Sequence, residues 1–187
     1  MTGFLVLLLV AVPIGVAVWL YNSLVGLRNQ VGSAWAQIDV QLKRRHDLIP
    51  NLVAAVRDYM GYEQEVLTKV TEARANAVAA GASGTVTAGQ IQAENALTGA
   101  LRSLFAVAEN YPQLKANENV LALQEQLTTT ENQIGFARQH YNAVINEFNT
   151  AIQTFPGVLV AGPFGFRARP FFEAEPEARD VPVVSLR

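Results

Sequence analysis

The sequence has 187 residues, enough for one domain plus an anchor, with a formal net charge of −2 and no cysteine. Disulfides, a thiol nucleophile and lipid attachment through Cys are excluded, and no overall basic field points to nucleic acid. Charged residues make up 16% of the chain, against about 25% in ordinary soluble domains. A helical domain normally fills its wet faces with Glu and Lys, but here many such positions hold Gln, Asn, Ala and Thr. More than one face is therefore expected to be covered by another chain.

No charged side chain occurs before Arg28. The run from Phe4 to Tyr21 is 18 residues, about 27 Å of helix against a hydrocarbon core of about 30 Å. It includes Phe4, Leu8, Val12, Val16 and Leu20, and ends in Trp19 and Tyr21, an aromatic pair suited to a membrane interface. Pro13 and Gly15 weaken a helix in water but are tolerated in lipid. The competing reading is a cleaved signal peptide. It lacks support, because no Lys or Arg precedes the run and no small-x-small cleavage site follows it. Residues 1–27 are thus expected to be a transmembrane anchor with a short juxtamembrane helix. Arg28, Lys43, Arg44 and Arg45 all follow the span, which predicts a short N-terminus outside and the body in the cytoplasm.

Residues 28–157 read as an antiparallel, up-and-down bundle of long, coiled-coil-like helices, so the fold class is all-α. Two rows recur at heptad spacing: Val31, Ile38, Arg45, Leu52, Tyr59, Val66, Ala73, and Trp35, Leu42, Ile49, Val56, Glu63, Val70, Ala77. Both keep their phase across Pro50. A turn usually resets phase, so a kinked continuous helix is favoured over a hairpin at Pro50. Gly81, Ser83, Gly84, Thr85, Thr87 and Gly89 mark a loop over about 80–89. A helix follows with Leu97, Leu101, Leu104, Phe105 and Ala108 on its buried stripe, and it breaks at about 110–116. The last helix runs from about Asn117 to Phe155 on the seam Val120, Leu123, Leu127, Thr130, Ile134, Ala137, Tyr141, Val144, Phe148, Ala151, Phe155. Residues 158–187 form a Phe/Gly/Pro-rich segment and an acidic tail, Glu173 to Asp180 in particular, that is expected to be disordered.

Five blocks of this sequence resemble the LemA family: YNSLVGLRNQV from Tyr21, AWAQIDVQLKRRHDLIPNLV from Ala34, LFAVAENYPQLKANENV from Leu104, LQEQLTTTENQIGFARQHYN from Leu123 and FNTAIQTFPG from Phe148. The resemblance covers roughly Tyr21 to Glu173. The resemblance implies a bacterial inner-membrane protein with one N-terminal anchor and a cytoplasmic helical bundle. It brings no agreed catalytic mechanism. Some relatives take part in magnetosome membrane formation, which implies scaffolding or shaping of membranes. Genes of relatives near membrane proteases imply an alternative, an adaptor or regulator in quality control.

Lys43, Arg44 and Arg45 form the densest basic cluster. On a continuous helix it sits about 35 Å from the membrane end, several Debye lengths of about 8 Å. Pairing with carboxylates of the last helix, such as Glu125, Glu131 or Glu147, is the better reading, and Arg45 at an apolar seam position fits it. His46 and Asp47, with His140, are the only conceivable acid–base set. No HExxH, GxSxG or phosphate loop accompanies them, so neither an enzyme nor a small-molecule substrate is expected, and no cofactor or metal ligand set is evident. Gln139, Asn142, Asn146, Asn149 and Gln153 recur at spacings of three and four, although Asn is a poor helix former. They are read as an amide stripe that fixes register between copies. Phe164, Phe166, Phe171 and Phe172 are candidates for packing on the bundle, a neighbouring subunit or a membrane. The expected partners are a lipid bilayer, further copies of this chain and a membrane protease.

Overall fold

The structure, a computed structural model, describes residues 2–61, 63–82 and 86–173. These form six helices in chain order: α1 (Thr2–Arg57), α2 (Gln64–Gly81), α3 (Ala88–Ala108), α4 (Pro112–Lys115), α5 (Glu118–Gln153) and α6 (Val158–Ala161). The fold is all-α. The chain divides into two compact units, Met1–Asp39 with Gly135–Phe171, and Val40–Ile134 with Phe172–Arg187. Most of the acidic tail, residues 174–180, lies outside the described residues.

In the first unit, Leu24, Val31 and Ile38 of α1 are buried at seven-residue spacing, as are Tyr141 and Phe148 of α5. Trp35 packs its ring against Tyr141 with centroids 5.4 Å apart. Each large apolar side chain so buried contributes about 1.5–3 kcal/mol. The buried seam does not follow the predicted positions to the end. Ile145 and Ile152 are buried in place of Val144 and Ala151, and Phe155 is 80% exposed. A straight helix drifts about 20° per heptad against a 3.5-residue repeat, which moves the buried position on by one residue over several turns.

The second unit centres on Ile49, Leu52, Val56, Met60, Leu67, Val70, Leu97, Leu101, Leu104, Leu114 and Leu127. Here α1 continues through Pro50 without a break. Pro50 has no N–H to give the carbonyl of His46, four residues earlier, and Arg74 Nε donates to that carbonyl at 2.7 Å. The continuous helix then ends at Arg57, not near Ala79 as the uninterrupted rows predict. Residues 58–63 reverse the chain, with Gly61 exposed, Met60 buried and Tyr59 turned outward. Gly61 costs an interior helix about 1 kcal/mol, and the reversal lets α2 lie back along α1, as the Arg74–His46 bond requires. The break consumes one heptad between Val56 and Glu63, which is why the phase survives a change of direction.

Side chains set the helix starts. Thr87, in an extended conformation, accepts from the N–H of Gln90 at 3.1 Å and caps α3. Asn117 Oδ1 accepts from the N–H groups of Asn119 and Val120 at 3.0 and 3.2 Å and caps α5. Pro112 sits in the first turn of α4, where a missing N–H costs nothing.

Candidate functional site

The three neighbouring cations of α1 separate in the second unit. Lys43 and Arg44 face outward, whereas Arg45 is 1% exposed. Its Nη2 donates to Glu94 Oε2 of α3 at 2.5 Å, and its Nη1 donates to Glu131 of α5 and to Thr98 Oγ1 at 2.8 Å. His46 Nε2 lies 3.1 Å from Glu94 Oε1. Arg45 thus ties α1 to α3 and α5 at once, with a planar fork suited to two carboxylates. Burial of Glu94 acts to raise its pKa, but the hydrogen bond from His46 and the charges of Arg45 and His46 outweigh it and hold the carboxyl below the ordinary value of 4.5. Glu94 therefore stays charged at neutral pH inside a cluster that holds it by ion pairing.

The pairing with Glu131 matches one of the three acidic partners named from the sequence; the pairing with Glu94 does not. The signal is present in the chain. Glu94 precedes Leu97, Leu101 and Leu104 on the same stripe, so a charge interrupts the apolar row of α3 just as Arg45 interrupts that of α1. Both Nη groups of Arg45 are paired, its Nε is buried without a hydrogen-bond partner, and the network joins three helices. His46 turns to Glu94 while Asp47 is exposed, and His140 is exposed on α5. Among the described residues no three His, Asp or Glu side chains converge as a metal would require.

The amide residues of α5 share one side of the helix but not one environment. Asn142 is half-buried and Asn149 is buried, seven residues apart, while Gln139, Asn146 and Gln153, also seven apart, are exposed. Asn149 is satisfied within its own chain. Its Nδ2 donates to the carbonyl of Arg169 at 3.0 Å and its Oδ1 accepts the Arg169 N–H at 2.9 Å, clamping the C-terminal segment to α5. The exposed set is longer than the amides alone: Phe136, Gln139, Ala143, Asn146, Thr150 and Gln153 follow a 3-4-3-4-3 spacing, all exposed and none charged. Phe136 is 71% exposed.

The C-terminal phenylalanines also divide. In the first unit, Phe166 is buried and Phe164 is exposed, and both rings meet Tyr21, with centroids 5.8 and 4.9 Å away. The Arg28 guanidinium lies over Phe166, 5.4 Å from the ring centre. Phe171 is partly exposed. In the second unit, Phe172 is buried and Asn95 Nδ2 donates to the carbonyl of Glu173 at 3.0 Å. On the N-terminal side, Phe4, Leu8, Val12, Val16 and Trp19 are exposed, and Leu20 and Tyr21 are half-buried. An 18-residue window here has a mean hydropathy of 2.6, and none of it is covered by the rest of the chain.

These features define an all-helical protein whose N-terminal helix is long and apolar enough to cross a membrane and whose helices are keyed by a buried arginine. The chain belongs to the LemA family, whose model matches residues 34–186. It is 27% identical over 189 residues to Protein LemA of Metamycoplasma hominis, covering 98% of this chain and 85% of that protein. It is 25% identical to Magnetosome protein MamQ 2 of Paramagnetospirillum magneticum and 26% identical to Magnetosome protein MamQ of Magnetospirillum gryphiswaldense. Each of these two alignments covers 88% of this chain and 68% of the relative.

Proposed function

We propose that this protein is a membrane-anchored, non-enzymatic scaffold of the bacterial inner membrane, with its N-terminus outside and its helical body in the cytoplasm. Copies associate through the exposed face of α5 and so organise or shape the bilayer. The observation that carries the reading is the uncharged heptad stripe from Phe136 to Gln153. A face left to water on a long helix ordinarily carries Glu and Lys. This one offers an aromatic, small residues and amides at the spacing that two helices need to mesh. The apolar part of α1 supports the anchor, since it is uncovered and continues without a break into the segment that packs with α5. The relatives named as magnetosome proteins fit an organising role.

The test is the mass of the full chain in mild detergent, beside Ala143→Glu and Asn146→Glu. Wild type should give one discrete multiple of the single-chain mass. Both variants, which place like charges opposite each other across a symmetric contact, should fall toward the single chain with helicity unchanged. A wild-type single chain would overturn the scaffold, and a protease extracted with it would replace the scaffold by an adaptor.

A further inference from the structure

The turn from Phe155 to Phe166 connects α5 to the clamped C-terminal segment, and its side chains are sorted by face. Val160, Ala161 and Phe166 point inward and are buried. Phe155 at 80%, Leu159 at 65%, Phe164 at 61% and Val158 at 46% exposure point outward. So many large apolar side chains on one short turn form a patch, not the scattered exposure of an ordinary surface. The placement of the patch is informative. Phe164 packs its ring, tilted by 59°, with its centroid 4.9 Å from that of Tyr21, the residue that ends the apolar run of α1. The patch is thus continuous with the water-side end of the anchor.

The charges agree. Across residues 2–38 and 148–172 the only charged side chains are Arg28, Arg167 and Arg169, with no Asp or Glu. Arg28 lies seven residues beyond Tyr21 on α1, about 10 Å along the axis, and its guanidinium rests on Phe166. An aromatic layer followed by a cationic layer about 10 Å deeper into water matches the acyl boundary and the phosphate level of a bilayer.

We propose that the Phe155–Phe166 turn is a second membrane contact, with Phe155, Val158, Leu159 and Phe164 seated in the headgroup–acyl boundary beside the anchor and the three arginines on lipid phosphates. The inference rests on the reading of α1 as a membrane anchor. It makes the first unit grip the bilayer at two points, which holds the α1–α5 pair at a fixed tilt.

Because the chain has no cysteine, a single introduced cysteine carries a unique label. Leu159→Cys, Phe136→Cys and Val12→Cys, each in the full chain and each bearing a polarity-sensitive fluorophore, are reconstituted in vesicles of phosphatidylcholine and phosphatidylglycerol. Lipids spin-labelled at a shallow acyl position act as the quencher. Position 159 should emit to the blue and lose most of its emission to the quencher, while position 136, on the face proposed to meet another copy, should lose none of its emission to the quencher. Position 12 reports the anchor and should be shielded from aqueous quenchers. A shielded position 12 with position 159 behaving like position 136 overturns the second contact and leaves the anchor standing. A blue-shifted position 159 that lipid quenchers do not reach means that protein covers the patch, which also overturns it. A water-exposed position 12 removes the anchor and the proposal together.

Discussion

Arg74 serves the carbonyl that Pro50 strands. A proline inside a helix leaves the oxygen four residues earlier without its donor, and in α1 that oxygen belongs to His46, which receives Arg74 Nε at 2.7 Å from the antiparallel α2. Pro50 and Arg74 should therefore be energetically coupled through that one oxygen. Arg74→Met is expected to cost about 1–3 kcal/mol, the penalty for an unmet buried acceptor. In a Pro50→Ala background, where the new backbone N–H restores the helical donor, the same change should cost clearly less. A double-mutant cycle by denaturant unfolding measures the difference, expected at about 0.5–3 kcal/mol. A coupling of zero would show that water serves the carbonyl equally well.

Arg45→Met should be the most damaging single change in the second unit. It leaves Glu94, 1% exposed, as a buried carboxylate without its cation, a loss of about 3–5 kcal/mol. Glu131, at 32% exposure, reaches water and tolerates the change. Combining Arg45→Met with Glu94→Leu should recover much of the loss, because an apolar pair fills the site with no charge to compensate. Melting temperatures of the three proteins decide it.

Glu94 also sets an acid limit. Its folded pKa lies below the ordinary 4.5, so its stabilisation is complete above that value and disappears as pH falls through the lower folded one. The stability gap between wild type and Glu94→Gln should close as pH falls below about 4.5. At the alkaline end, burial pushes the Tyr141 hydroxyl up to about 12 from 10.0, so its contribution holds below pH 10 and fades as pH rises through 12. Tyr141→Phe should flatten that alkaline loss.

Two glycines after α5 are needed for different reasons. At Gly157 the backbone angles are helical, but a Cβ would stand 2.1 Å from the carbonyl oxygen of Ala151, so main chain must move. Gly165 has open space around it and a φ of +71°. Gly157→Ala should cost about 1–3 kcal/mol or more, as overpacking does. Gly165→Ala should cost about 1–2 kcal/mol, and Gly165→Asn less, since Asn tolerates the left-handed region. Thermal unfolding of the three variants orders them.

The helical class, the apolar first span and the long last seam are legible in the sequence because each rests on periodicity or hydropathy sustained over many turns. The reversal at residues 58–63 is not, since one lost heptad leaves the phase of Val56 and Val70 unaltered, and only Gly61 signals it. Pro50 is the more conspicuous residue, yet it is compatible with the helix once Arg74 supplies a donor. Arg45 stands out as a charge in an apolar row. Its partner Glu94 interrupts the stripe of α3 in the same way, between the buried Ile91 and Leu97, and is legible only when Ile91 is counted in that stripe. The five amides of α5 share one side of the helix but not an environment: Asn142 and Asn149 stand at its packed edge, Gln139, Asn146 and Gln153 at its open one, and only packing says where that edge falls.

The ring contact between Trp35 and Tyr141 gives the molecule two independent optical reporters. The chain has two tryptophans, and they occupy contrasting surroundings: Trp35 sits within a packed helix pair, and Trp19 stands 67% exposed on the apolar run. Trp35→Phe would leave intrinsic fluorescence that responds to solvent or lipid around the first helix alone. Trp19→Phe would leave fluorescence that responds to the separation of α1 from α5. Assembly at the bilayer and melting of the body can then be timed separately in the same preparation, without an added dye.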